Sequence, residues 1–292
     1  MRYRAKLAAV MVALSVTVAF AEDWPFIYGP RRDHTSEQKG LLRTWPKEGP
    51  KVLWTMPVGA GFGGPSVKDG QVYLLDRDEA VGDTLRVLDL ASGKELWTFA
   101  YGAPGQFMFA GSRTTPTLDG DFVYTSGPMG DLYAISIKTR KPVWQKNIWK
   151  DFGGGGELPR WSVVQNPLIY GNLVIAAPQT PQAGVVAYDK LTGELKWKSA
   201  PLSGLPGYVS PQIIKIGGED HLIMVTASVG RGRTARDGVT AGLDPKTGKV
   251  LWQYGGWQCA IPVPQPVDAG QGRILVTGGY GAGSAMFQVT KK

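Results

Sequence analysis

Asp189-Lys-Leu-Thr192-Gly193-Glu-Leu-Lys-Trp197 reads as a tight turn feeding a strand that carries a tryptophan. Aspartate at the head of such a turn caps it by accepting bonds from nearby backbone amides, and glycine supplies the positive φ that closes it. The same arrangement recurs at Asp89-Leu-Ala-Ser92-Gly93-Lys-Glu-Leu-Trp97 and Asp244-Pro-Lys-Thr247-Gly248-Lys-Val-Leu-Trp252. A further copy ends in Thr139-Arg140-Lys-Pro-Val-Trp144 and has Ser136 and Arg140 where the others have Asp and Gly, so its turn is expected to be less tightly specified. Lys51-Val-Leu-Trp54 matches the last part of the unit. Successive tryptophans are 43, 47, 53 and 55 residues apart, a period that points to a repeat architecture.

A second marker keeps the same order. Pro65, Pro116, Pro167, Pro211 and Pro266 each introduce a β-rich run: Val72–Leu75, Phe122–Thr125, Leu173–Ala176, Leu222–Thr226 and Ile274–Thr277. Each unit has room for four short strands. In the third these are Pro167–Tyr170, Leu173–Ala177 after a Gly171-Asn172 turn, Val185–Tyr188, and Leu195–Lys198. The apolar runs are nearly continuous, which implies sheets covered on both faces, as when four-stranded antiparallel blades stack radially about an axis. The expected fold is therefore an all-β β-propeller with complete units at about 59–101, 102–150, 151–201 and 202–256 and a partial unit at 257–292. Trp97, Trp144, Trp197 and Trp252 are expected to fill the gap between one blade and the next rather than to touch a ligand. Truncating such a residue in a packed core costs roughly 3–5 kcal/mol.

Composition agrees with this reading. Forty Gly and 21 Pro in 292 residues argue against long helices, while 43% apolar residues argue against disorder. One cysteine excludes a disulfide framework and a Cys-rich zinc site. Residues 1–21 read as a secretory signal, with Arg2, Arg4 and Lys6 before the apolar run Leu7–Phe20 and small residues at Ala19-Phe20-Ala21. That run is too short to span a bilayer as a helix, and no cysteine near the cleavage site offers a lipid anchor. Residues 22–50 form an N-terminal extension before the propeller domain at 51–292. Removing the signal takes away three of the eight net positive charges, leaving a balance that does not indicate nucleic-acid binding. The mature protein is expected to be soluble, and periplasmic or secreted.

Asp-x-x-[Ser/Thr]-Gly-x-x-x-Trp resembles the pyrroloquinoline-quinone (PQQ) repeat of quinoprotein-type β-propellers. Asp23-Trp24-Pro25, Gly29-Pro30-Arg-Arg-Asp33 and Gly49-Pro-Lys-Val-Leu-Trp54 look like the opening of secreted bacterial PQQ-like repeat proteins, and Lys150-Asp-Phe-Gly153 with Leu158-Pro-Arg-Trp161 also resembles that group. The resemblance covers about residues 23–290. It implies seven or eight blades, so the chain reads as an incomplete propeller with an open blade edge available for association. Closure as five blades is the alternative, with Lys51–Val58 supplying the missing outer strand.

Ligands of propellers are expected at the mouth of the central channel, near the loops entering each innermost strand. Arg113, Arg160, Trp161 and Tyr208 precede the repeated prolines and are the candidates. An Arg beside a Trp suits a planar anion such as PQQ, a tricarboxylate. The ordinary alternative is that the Arg bonds loop carbonyls and the Trp packs on a neighbouring blade. His34 and His221 lack ligand-spaced partners, His221 reading as a turn residue, and Cys259 reads as a buried structural thiol. Gly153–Gly156 lacks the Lys-Ser/Thr pair of a phosphate loop, and Arg231–Arg236 reads as a solvated loop.

Two functions follow from the resemblance. A PQQ-dependent alcohol or sugar dehydrogenase would need PQQ, Ca²⁺, a catalytic aspartate and often a vicinal disulfide, and the lone Cys259 rules out the last. A non-catalytic binding or scaffold module of the cell envelope would resemble the propeller subunit of the outer-membrane β-barrel assembly machine, with an envelope protein or small ligand as partner. The second is taken forward, with no catalytic or metal residue assigned.

Overall fold

The computed structural model describes residues 22–230 and 234–290. The signal segment and Arg231–Arg233 lie outside them. Among the described residues nineteen strands form five antiparallel sheets, each a simple meander in chain order. Blade 1 holds β1 (Ser66–Lys68), β2 (Gln71–Asp78), β3 (Gly82–Asp89) and β4 (Glu95–Gly102). Blade 2 holds β5 (Thr117–Asp119), β6 (Phe122–Ser126), β7 (Asp131–Ser136) and β8 (Lys141–Asn147). Blade 3 holds β9 (Leu168–Tyr170), β10 (Leu173–Ala176), β11 (Val186–Asp189) and β12 (Leu195–Lys198). Blade 4 holds β13 (Gln212–Ile216), β14 (Glu219–Val225), β15 (Thr240–Leu243) and β16 (Val250–Tyr254). Blade 5 has β17 (Val267–Asp268), β18 (Arg273–Gly278) and β19 (Gly283–Gln288). Every first strand starts on the residue after one of the repeated prolines.

The continuous apolar runs are two alternating faces, each buried against a different neighbour. Val123 and Ile135 of blade 2 pack on Tyr73, Leu75, Leu85 and Val87 of blade 1. Tyr124, Leu132 and Ala134, one residue out of phase, pack on Val174, Val186 and Tyr188 of blade 3. Blades 3 and 4, and then 4 and 5, meet in the same way.

Tryptophan and glycine join consecutive blades at one end. Trp144 lies on Gly193 of the next blade's turn, where a methyl group would come within 2.7 Å of the indole Cγ, and its Nε1 donates to Lys190 O at 3.0 Å. Trp54 repeats this on Gly93, with Nε1 to Leu90 O at 2.9 Å, and Trp197 lies on Gly248. The glycines are therefore required twice: for φ near 70° and for bare space under an indole. Trp97 is buried between blades 1 and 2, and Trp252 packs on Phe287 of blade 5.

Two expectations need correction, and one alternative is set aside. The turn of blade 2 is as closed as the others: Arg140 adopts φ 58° and its N–H bonds Ser136 O at 2.7 Å, matching Gly193 to Asp189 at 2.9 Å. His221 is inside β14 rather than in a turn, and its Nδ1 accepts a bond from Trp252 Nε1 at 3.0 Å. Residues 51–58 pair with no strand of blade 5, so the structure is an open fan and not a five-bladed ring. Among the described residues no helix is long and apolar enough to cross a membrane.

Candidate functional site

Antiparallel meanders put the turns before the outer strands of blades 1 to 4 at one end and the loops between blades at the other. At the loop end the residue before each proline ties its blade to the next. Gly64 N–H bonds Thr115 Oγ1 at 3.0 Å, Thr115 N–H bonds Asn166 Oδ1 at 2.7 Å, Asn166 N–H bonds Ser210 Oγ at 2.9 Å, and Gln265 Nε2 bonds Ser210 O at 3.1 Å. This belt holds the mouths of all five blades in register. The N-terminal extension then runs across them. Trp24 bridges to Val67 on β1, Pro25 O accepts from Leu118 on β5, and Arg32 Nη2 donates to Ile169 O on β9.

Above the belt is a cavity of about 410 Å³, lined by Ile27 and Tyr28 of the extension and by Phe62, Phe109, Arg113, Trp161, Val164, Asn166, Tyr208, Ser210 and Val263. Three of the four candidates from the sequence meet here. Trp161 and Tyr208 have ring centroids 4.8 Å apart with planes inclined at 34°, and Phe109 meets Trp161 edge-on at 6.3 Å. Arg160 is exposed and does not line the cavity.

Arg113 is buried, and its guanidinium is taken up by the loops. Nη1 donates to Gly111 O at 3.1 Å, Nη2 to Phe109 O, and Nε reaches Trp161 O at 3.4 Å. The cation sits over Phe62 at 5.0 Å, and burial lowers its pKa. Asn166 is likewise held by Thr115 and Ser210. PQQ carries three carboxylates and its calcium takes six to eight oxygen ligands. No lining residue here is acidic, the one cation already serves three carbonyls, and no set of three potential metal-ligating side chains gathers among the described residues. These residues do not fit that cofactor. An aromatic wall with a few fixed polar groups suits an apolar or aromatic moiety.

The wall rests on a buried charge network that the sequence reading passed over. Arg77 and Asp83 have fully buried side chains and form an ion pair at 2.9 Å. Arg77 also lies 3.3 Å from Glu79, donates to Ala103 O at 2.7 Å, and sits over Phe107 at 4.8 Å. Glu79 in turn accepts Gly111 N–H at 2.7 Å. Together these bonds shape the loop that carries Phe109 and Arg113. Burial pushes the Asp83 carboxyl up to about 6 even though Arg77 opposes the shift. Asp76-Arg77-Asp78-Glu79, charges closing an apolar strand, was the signal available in the sequence. The extension gave no comparable signal, because its role depends on where it crosses the blades.

A family model described as "Outer membrane protein assembly factor BamB" matches residues 7–162 and again 156–290. The quinoprotein alcohol dehydrogenase PedH of Pseudomonas putida is 25% identical over 174 residues, covering 58% of this chain and 27% of that protein. The chain thus spans about a quarter of the length of that curated relative. BamB from Moraxella catarrhalis superposes with a TM-score of 0.52 at 15% identity, covering 81% of this chain and 64% of that one. The quinohemoprotein alcohol dehydrogenase of Comamonas testosteroni also gives 0.52, at 17% identity over 80% of this chain and 44% of that one. Both structural likenesses speak for the fold alone.

Proposed function

Since this chain belongs to the PQQ-like repeat family described as outer membrane protein assembly factor BamB, we propose that it is a non-catalytic binding module of the cell envelope that holds an apolar or aromatic side chain of a partner protein in its loop-end cavity. The observation that carries this reading is the composition of the cavity: aromatic rings around about 410 Å³, with Arg113 turned to the loop carbonyls. Residues 1–21 act as the export signal, which puts the mature chain in the periplasm or outside the cell. Residues 22–50 belong functionally with the propeller at 51–292, because Ile27 and Tyr28 line the cavity.

The second reading is a PQQ-dependent alcohol or sugar dehydrogenase, favoured by the sequence likeness to part of PedH. Two additions to the purified chain separate the readings. N-acetylphenylalaninamide should show saturation transfer in NMR that disappears in Trp161→Ala and Tyr208→Ala, both variants keeping the wild-type unfolding transition. PQQ with Ca²⁺ should leave that transition in place. Saturation at 100 times Kd would add about 2.7 kcal/mol, so an upward shift with PQQ and Ca²⁺ would overturn the binding-module reading.

A further inference from the structure

The extension brings among the blades one arginine that no carboxylate pairs. Arg31 and Arg32 part at a turn in which Arg32 and His34 both take left-handed backbone, φ 58° and 62°, a conformation few residues other than glycine adopt. Bonds from Arg32 N–H to Gly29 O and from His34 N–H to Tyr28 O, each 3.0 Å, hold the turn. Arg31 stays with the extension, with Glu22 at 3.4 Å, Glu37 at 3.2 Å and Thr35 O at 2.8 Å. Arg32 goes the other way. Its guanidinium lies over Phe26 at 4.3 Å, and Nη2 donates to Ile169 O on β9 at 3.1 Å. The rest of its donors bond nothing among the described residues, and it forms no ion pair with them. Burial pulls its pKa down to about 10, and Asp119, which opposes that shift, is itself paired with Lys190 at 2.7 Å. By contrast Arg77 pairs with Asp83, Arg86 with Asp76, and Arg113 gives its donors to loop carbonyls. Enclosing a cation without a partner is costly, and the edge of a guanidinium is shaped to take a carboxylate in a fork of two bonds.

Arg32 lines a cavity of about 610 Å³ between the extension and blades 4 and 5, together with His34, Gln212, Ile214 and Pro266. The acidic groups in its wall are tied down: Asp33 Oδ1 accepts from Thr35 N–H and Oγ1, and Asp268 Oδ1 accepts from Gly270 N–H. Tyr28 and Val263 line both this cavity and the aromatic one above the belt. A third space of about 20 Å³ is lined by Asn166 and Ser210 from the aromatic cavity and by Arg32 and Gln212 from this one. A ligand in the aromatic cavity therefore has Arg32 across the wall that Tyr28 makes.

We propose that Arg32 binds a carboxylate of the partner segment whose apolar or aromatic side chain enters the aromatic cavity, so that the chain recognises such a side chain beside an acidic group. This rests on the binding-module reading above. One open guanidinium serves one carboxylate, which sets this ligand apart from a tricarboxylate with its calcium ion.

Three probes titrated into the full chain by calorimetry test this: N-acetylphenylalaninamide, N-acetylphenylalanine and N-acetylaspartylphenylalaninamide. At low salt one of the acids should bind about ten-fold more tightly than the amide, and the advantage should shrink as salt is added. The better acid tells a chain-terminal carboxylate from an internal side chain. The ratio of acid to amide affinity should fall close to one in Arg32→Gln and be partly kept in Arg32→Lys, both variants showing the wild-type unfolding transition. If neither variant folds, the Arg32 Nε resonance of the wild-type protein must move with the acid and not with the amide. Acids that bind no tighter than an amide that does bind would overturn this proposal and leave the binding module standing. No binding of any probe would overturn both. A preference unchanged in Arg32→Gln would also overturn the proposal, because another cation would then hold the acid.

Discussion

The turn end and the loop end of the blades are built on opposite principles. At the turn end one device repeats: an aspartate-headed turn, a glycine, and the previous blade's indole upon it. Blade 2 keeps the shape with Arg140 in the glycine's place, so geometry is conserved there even where residue type is not. At the loop end each blade contributes something different: an Arg77–Asp83 pair from blade 1, Arg113 and Phe109 before blade 2, Trp161 before blade 3, Tyr208 before blade 4. Repetition supplies stability that neighbouring blades share, and departures from it line a cavity that no other blade junction among the described residues repeats in kind. The turn end depends on steric fit, while the loop end depends on buried charge.

That contrast can be broken by mutation. Arg77→Met removes one partner of a buried ion pair and leaves Asp83 without compensation, a loss of about 3–5 kcal/mol. Adding Asp83→Leu should recover most of it, since an apolar pair can replace a buried ionic one. Urea unfolding of the single and double variants measures both, and a double variant no better than the single would deny that uncompensated charge is the cause.

Two glycines with the same φ of 71° sharpen the steric half. Gly70→Ala meets open space and should cost about 1–2 kcal/mol, the penalty of the left-handed region alone. Gly193→Ala meets Trp144 as well and should cost clearly more, with loss of the Trp144 bond to Lys190 O. Equal losses in urea would mean that the indole moves aside freely.

The smallest effect is one of sign. Hydrogen bonds from Ser92 and from the Thr192 backbone lower the Asp89 and Asp189 pKa values. Their contribution is present above the unfolded value near 3.8 and is lost as pH falls through the lowered one. Asp83 runs the other way. Its folded pKa of about 6 exceeds the unfolded 3.8, so its contribution is full below 3.8 and declines as pH rises to about 6. Unfolding free energies between pH 3 and 7 should show that decline in wild type and lack it in Asp83→Asn, while Asp189→Asn should flatten the loss at the acid end.

Most of the strand frame was legible because its cues are local. Proline marks the residue before each first strand, and the Asp-to-Trp run marks the outer strands of blades 1, 3 and 4. The candidate site was legible in part. Arg113, Trp161 and Tyr208, named for their place before the prolines, line the cavity, but Arg113 spends its donors on carbonyls of Phe109, Gly111 and Trp161, and Arg160 is exposed and outside the lining. Phe109 and Gly111 are near Arg113 in the chain, but Trp161 is 48 residues away, and whether a side chain turns to such carbonyls or to a ligand depends on how the loops come together. His221 was misread for the same reason: its bond to Trp252 exists only once β14 and β16 lie in one sheet.

Local chemistry in the amino-acid sequence settled which segments become strands, where they turn and which residues face a neighbouring blade, because backbone preference and side-chain alternation act over a few residues. Tertiary structure alone decided that the extension crosses the blades to line a cavity, that Arg77 and Asp83 are sealed beside it, and that residues 51–58 lie unpaired. Those outcomes depend on how five blades stack and on which polar groups water can no longer reach.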